Sequence, residues 1–156
     1  DKPNTSFDGA MLNPTWPARM QKLRQGPLVS LAPNAEIWLD GGHNKAAGHA
    51  LSEALSRLPK RNLHLIVGML NTKDVQGYME PLTERASSLY GVSIPGEAAT
   101  MTAEETVNTA KKLGFTANIS SDFVAAVKNI EAVDPTARIL ICGSLYLAGK
   151  VLQENS

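Results

Sequence analysis

Apolar and polar positions change rhythm along this chain, and the changes mark its elements. From residue 35 onward, short apolar runs alternate with segments of helical period. Glu36-Ile37-Trp38-Leu39 reads as a strand closed by Asp40-Gly41-Gly42. Over residues 46–58, Ala47, Ala50, Leu51, Ala54, Leu55 and Leu58 recur at helical spacing, which predicts a helix behind an Asn44 cap. Residues 63–67 form a second predicted strand, ended by Gly68. Residues 75–86 read as a weak helix interrupted at Pro81, 88–92 as a third strand, and 94–97 as a turn. A helix over 103–113 stops at Gly114, a short strand covers 115–119, and Ser121-Asp122 open a helix over 123–133. A strand over 138–142 then leads through Gly143-Ser144 into a helix over 145–153. The start of the chain is different. Residues 1–17 are rich in Asn, Pro, Thr and Asp and read as an extended lead-in or linker. Residues 18–31 have no helical period and break at Gly26-Pro27, which predicts two short strands around a turn, an N-terminal hairpin.

Strands alternating with helices of about three turns argue for βαβ units. The expected fold is therefore α/β and Rossmann-like: a mostly parallel sheet with helices on both faces, plus the N-terminal hairpin. In an open sheet of this kind, ligands bind beyond the carboxyl ends of the strands. That rule selects three loops: residues 40–45, residues 68–74, and Gly143-Ser144.

Composition narrows the chemistry. With 156 residues the chain fits one domain. Fifteen basic residues balance fifteen acidic ones, and there is no basic run, so nothing favours a nucleic-acid partner. The one cysteine, Cys142, excludes an internal disulfide framework and a cysteine-based zinc cluster. It lies in the apolar run 139–142 and reads as buried. Apolar stretches fall far short of the roughly 18 residues of a membrane span, and residues 1–10 do not resemble a secretory signal. A cytoplasmic protein is expected, with no membrane partner. No GxGxxG is present. Five residues, not four, separate Gly143 from Gly149, and Val151 stands where a phosphate loop needs Ser or Thr. His43, His49 and His64 are not spaced as a metal triad, so no metal ligands are assigned.

Each selected loop supports two readings. In Asp40-Gly41-Gly42-His43-Asn44-Lys45, a carboxylate can hold a ribose or a metal-bound water, and His43 can donate to phosphate or carry a proton. Alternatively, Asp40 and Asn44 cap the helix and His43 is an exposed loop residue. Lys73 can pair with a substrate carboxylate or phosphate as a point charge, or be a solvated lysine before a helix capped by Asp74. Ser144 can form half of an oxyanion cradle, or serve only as an N-cap.

Taken in series, four motifs carry a resemblance. Trp16-Pro17-Ala18-Arg19-Met20-Gln21, Leu39-Asp40-Gly41-Gly42-His43-Asn44, Gly68-Met69-Leu70-Asn71-Thr72-Lys73-Asp74 and Cys142-Gly143-Ser144-Leu145-Tyr146-Leu147-Ala148-Gly149 occur in one order. Together they resemble the carboxy-terminal domain of the folylpolyglutamate synthase / dihydrofolate synthase family, within the Mur ligase superfamily. The resemblance implies a linker over residues 1–15 from an N-terminal P-loop ATPase domain, and a Mur-ligase-type C-terminal domain over 16–156. It implies an ATP-dependent ligase that adds L-glutamate to a folate or dihydropteroate carboxylate through an acyl phosphate. ATP and Mg2+ would be held mainly by the N-terminal domain, so this part alone is expected to be inactive and to bind ATP weakly. By position, Arg19 and Asp40 would serve ATP, at its phosphates and its ribose side. His43 would line the reacting centre, and Lys73 and Ser144 would hold the carboxylates of glutamate. The working unit is expected to be a monomer. Three positions depart from the family pattern. Ala18 replaces a common glycine, Gly42 a common alanine, and Lys45 the usual proline. Two other readings stand beside this one: a free-standing Rossmann-like module for a small anionic ligand, and the domain of a related Mur-type ligase for a cell-wall precursor.

Overall fold

The structure is a computed structural model and describes residues 20–156. Its elements, in chain order, are β1 (Gln21–Leu23), α1 (Pro27–Leu31), β2 (Glu36–Asp40), α2 (Lys45–Ser56), β3 (Leu63–Val67), α3 (Val75–Met79), β4 (Ser88–Gly91), α4 (Ala103–Leu113), β5 (Ala117–Ile119), α5 (Phe123–Val133), β6 (Arg138–Cys142) and α6 (Leu145–Glu154). A 3₁₀ turn, Glu80–Leu82, continues α3 past the break expected at Pro81. The six strands form one sheet in the order β1-β2-β6-β3-β4-β5, parallel except for β1.

Side-chain parity explains the two layers of helices. On β6, Ile139 and Ile141 join one apolar cluster, with Leu28 of α1, Phe123 and Ile130 of α5, and Leu147 and Val151 of α6. Leu140 and Cys142, pointing the other way, join a second cluster with Leu51 and Leu55 of α2, Tyr78 and Met79 of α3, and Val107 of α4. Both faces of the central strands are covered, so β3 and β6 are buried at every position. This is why they read as continuous apolar runs rather than as alternating ones.

The N-terminal region departs from expectation. Residues 18–19, like the linker 1–15, lie outside the described residues. The second strand of the expected hairpin is the short helix α1. Gly26 turns the chain at φ 110°, and Pro27, with its fixed φ and no N–H to satisfy, suits the first helical position. The helix buries Leu28 in the cluster that also holds α5. β1 instead pairs antiparallel with β2, Lys22 opposite Trp38.

Polar clamps hold the amino ends of the strands. Glu36 accepts from Arg138 Nε at 2.8 Å and from Trp38 Nε1 at 3.0 Å, with Arg61 3.5 Å away. His64 bridges Ser88 Oγ at 2.6 Å and Asp134 Oδ2 at 2.9 Å, tying β3 and β4 to the end of α5. That arrangement suits an imidazole with its proton on Nε2, accepting from the serine hydroxyl at Nδ1. No helix among the described residues is long and apolar enough to cross a membrane.

Candidate functional site

The carboxyl ends of β2, β6 and β3 lie side by side, with Asp40 opposite Cys142 and Cys142 opposite Val67. The loops 40–45, 143–144 and 68–74 therefore share one edge of the sheet, although up to a hundred residues separate them in sequence. From that edge α2 and α3 leave on one face and α6 on the other, which makes it a topological switch point, the place where open α/β sheets form their ligand crevices.

Asp40 ends β2 and is 4% exposed. Its Oδ2 accepts the Gly42 N–H at 3.1 Å and, more distantly, the Tyr78 hydroxyl at 3.4 Å. Burying a carboxylate is costly unless donors surround it, so a carboxylate placed here has a purpose beyond solubility. It does not cap α2. Asn44 does that, accepting the Ala47 N–H at 2.8 Å. The loop stays tight because Gly42 lacks a side chain: a Cβ there would stand 2.6 Å from that of Ala47 and 3.0 Å from Asp40 Oδ2. A side chain at this position would need the loop to shift. A hollow of about 500 Å³ runs from Asp40 and Gly42 along α2, past Asn44, Ala47 and Leu51, with Met20 at its wall.

His43 is half-buried, and its Nδ1 is buried with no hydrogen-bond partner among the described residues. An orphaned ring nitrogen beside the helix start is a donor or acceptor in reserve. Lys73 is exposed, one residue before Asp74, whose carboxylate caps α3 by accepting the Gly77 N–H at 2.9 Å. Ser144 is 3% exposed, and its Oγ accepts from Tyr146 N at 3.0 Å and Leu147 N at 3.4 Å, so it caps α6. Arg19 lies outside the described residues; its neighbour Met20 borders the hollow.

The second and third loops touch. Gly143 has φ 108°, and a Cβ there would come 2.7 Å from Met69 Cγ and 2.8 Å from the Gly68 carbonyl. Only glycine allows both the left-handed turn and this approach. The loop after β3 is pinned from its far side, with Asn71 N donating to Ala99 O at 2.8 Å and Met101 N to Met69 O at 2.9 Å. Lys73 thus projects from a braced loop.

One residue of this region escaped the sequence reading, and it lies beside Cys142, which is buried as expected. Tyr78 is wholly buried, and burial above all, with Cys142 and Asp40 adding to it, pushes its hydroxyl well above the ordinary tyrosine range. Burial likewise pushes the Cys142 thiol up. Tyr78 sits in a weakly periodic segment, where only its place on the inner face of a short helix could have marked it. A larger hollow, about 850 Å³, opens between α2 and residues 80–85, lined by Ser52, Glu53, Glu80, Glu84 and Arg85 among others. It lies away from the strand ends, and Arg85 Nε already donates to Ser52 Oγ across it at 3.0 Å. The strand-end crevice is the better site because buried polar groups converge there and glycines line it.

A family model described as the dihydrofolate synthetase C-terminal domain matches residues 29–154. The folylpolyglutamate synthase of Lacticaseibacillus casei is 32% identical over 138 residues, which cover 88% of this chain and 29% of that protein. Among solved structures, Mycobacterium tuberculosis folylpolyglutamate synthase complexed with ADP and AMPPCP has a TM-score of 0.71 at 23% identity, over 88% of this chain and 31% of that one. E. coli FolC in complex with DHPP and ADP has a TM-score of 0.68 at 24% identity, over 88% and 30%. The chain thus spans less than a third of the length of each. The structural likenesses agree with the α/β fold, and the sequence matches agree with the resemblance carried by the four motifs.

Proposed function

Because this chain belongs to the family of dihydrofolate synthetase C-terminal domains, we propose that it is the part of an ATP-dependent ligase that closes over the nucleotide and receives L-glutamate. In this reading the whole ligase joins glutamate to a folate or dihydropteroate carboxylate through an acyl phosphate. The observation that carries it is the buried, donor-held Asp40 at the strand-end crevice, in a family whose structures include ADP complexes.

The residues present suit a share of the nucleotide rather than all of it. A fixed carboxylate accepts hydroxyl protons and suits a ribose edge, whereas the sequence offers no glycine-rich phosphate loop for the triphosphate and its Mg2+. ATP supplies the phosphoryl group that activates the carboxylate. Within this chain, Asp40 would hold the ribose side and Arg19 would face the phosphates. His43, with its orphaned Nδ1, would line the reacting centre and offer a hydrogen bond there. Lys73 would meet a carboxylate of glutamate as a point charge, and Ser144 would receive another by donating its hydroxyl proton. Such chemistry depends mainly on positioning and on excluding water when a cleft closes. Residues braced on rigid strand ends serve that purpose better than residues on free loops.

The test uses the full-length polypeptide carrying this domain, with Asp40→Ala and Arg19→Ala variants. Phosphate release is followed with ATP, glutamate, and dihydropteroate or a reduced folate offered separately. Turnover should require both glutamate and the pterin acid, and should collapse in both variants. Release without pterin dependence would replace this reading with a Mur-type precursor ligase, and absence of any turnover would favour a binding module.

A further inference from the structure

The geometry points to Tyr78 as a positioning residue for the nucleotide end of the site: its hydroxyl fixes the Asp40 carboxylate, and through α3 it ties that carboxylate to the loop that carries Lys73. This rests on the reading of Asp40 given above.

Tyr78 belongs to none of the three strand-end loops, yet two of them and the last residue of β6 meet it. Its hydroxyl donates to Asp40 Oδ2 at 3.4 Å, the same oxygen that accepts the Gly42 N–H at 3.1 Å. Cys142, the register partner of Asp40 on β6, is within hydrogen-bonding reach of that hydroxyl. The Tyr78 ring lies 3.6 Å from where a Gly42 side chain would begin. Its backbone is held as firmly as its side chain. Tyr78 N donates to Asp74 O at 3.0 Å, one residue beyond Lys73, and its carbonyl is pressed against Gly48 of α2 so closely that no side chain fits between them. A wholly buried phenol has few rotamers to choose from, so its oxygen is a fixed post. Asp40 ends β2 and is followed by two glycines, so the chain just beyond it carries no side chain to crowd its carboxylate. Two donors converging on one oxygen favour one rotamer of Asp40 and so help to set the direction of its carboxylate.

Tyr78→Phe removes the post and keeps the ring. The hydrogen bond is long, so its loss should act on orientation rather than on folding. In the full-length polypeptide, KM for ATP should rise about three- to ten-fold in Tyr78→Phe, the range expected for losing one such bond. KM for glutamate should stay constant, and the melting temperature should stay close to that of the parent. Asp40→Asn is measured beside it, together with the double variant, in which Tyr78→Phe should add nothing further. An unchanged KM for ATP in Tyr78→Phe, in a protein that Asp40→Asn does damage, overturns the positioning role and leaves the nucleotide reading standing. Equal rises in both KM values, or effects that add in the double variant, overturn it too, since a merely loosened core would behave that way. If Asp40→Asn itself leaves KM for ATP untouched, both the reading and the inference fall.

Discussion

Gly48 sits within α2, where local preference and tertiary packing make opposite demands. Glycine inside a helix costs roughly 1 kcal/mol relative to alanine, so Gly48→Ala should stabilise the chain if only the helix mattered. Here a Cβ would run into the carbonyl of Tyr78, with the Tyr78 Cα only 3.2 Å away. That obstacle is backbone, so no side chain can swing aside and α3 must move as a unit. Overpacking a fitted interior costs about 1–3 kcal/mol, and a rigid obstacle argues for the upper half of that range. Set against the helix gain, a net loss of about 1–2 kcal/mol follows, or a fall in Tm of roughly 2–8 °C for a domain of this length. Gly149 in α6 is the control, because nothing lies within 4 Å of a Cβ built there. Gly149→Ala should realise the helix gain alone and raise Tm by up to about 4 °C. Thermal unfolding followed by circular dichroism at 222 nm, on both variants and the parent, reads both signs in one experiment. If Gly48→Ala raises Tm as Gly149→Ala does, the close packing of α2 on α3 is wrong, and the fixed placement of Tyr78 goes with it.

Two further outcomes follow from groups away from that contact. The hydrogen bond from His64 holds the Asp134 carboxyl below the usual aspartate range, against a smaller opposing effect of burial and with help from Asn62. A carboxyl depressed on folding contributes stability that is present above its unfolded pKa, near 4, and is lost as pH falls through the folded value. Asp134→Asn should therefore lower Tm at pH 7, by a margin that narrows as pH falls below 4; a gap that stays constant as the pH is lowered would remove the proton linkage. Cys142 is buried and its thiol is pushed upward, so at pH 8 a maleimide should label it at the rate of global unfolding rather than on mixing. Rapid stoichiometric labelling of the native chain would mean that the carboxyl end of β6 is open.

Much of this molecule is local and was readable from the chain alone. The helices 103–113 and 123–133 and the strands 63–67 and 138–142 match expectation residue for residue, because caps, apolar period and stop signals all lie within a few positions of one another. The three strand-end loops could be singled out for the same reason, since a strand, a glycine and a helix start are adjacent in sequence. Pairing decided the rest. No local pattern states that β6 inserts between β2 and β3, yet that placement alone brings Asp40, Gly68 and Ser144 to one edge. Residues 27–31 carry no helical period, and the helix they form is held by packing on α5 and by Asn155 Oδ1, which accepts the Leu28 N–H. Whether Asp40 caps a helix or stands as a held carboxylate was equally open in sequence. The structure gives the cap of α2 to Asn44 and adds to Asp40 a hydrogen bond from Tyr78, 38 residues away on α3, which packs against Gly48. Local order is written in short-range spacing, whereas the crevice depends on contacts between segments whose sequences carry no record of one another.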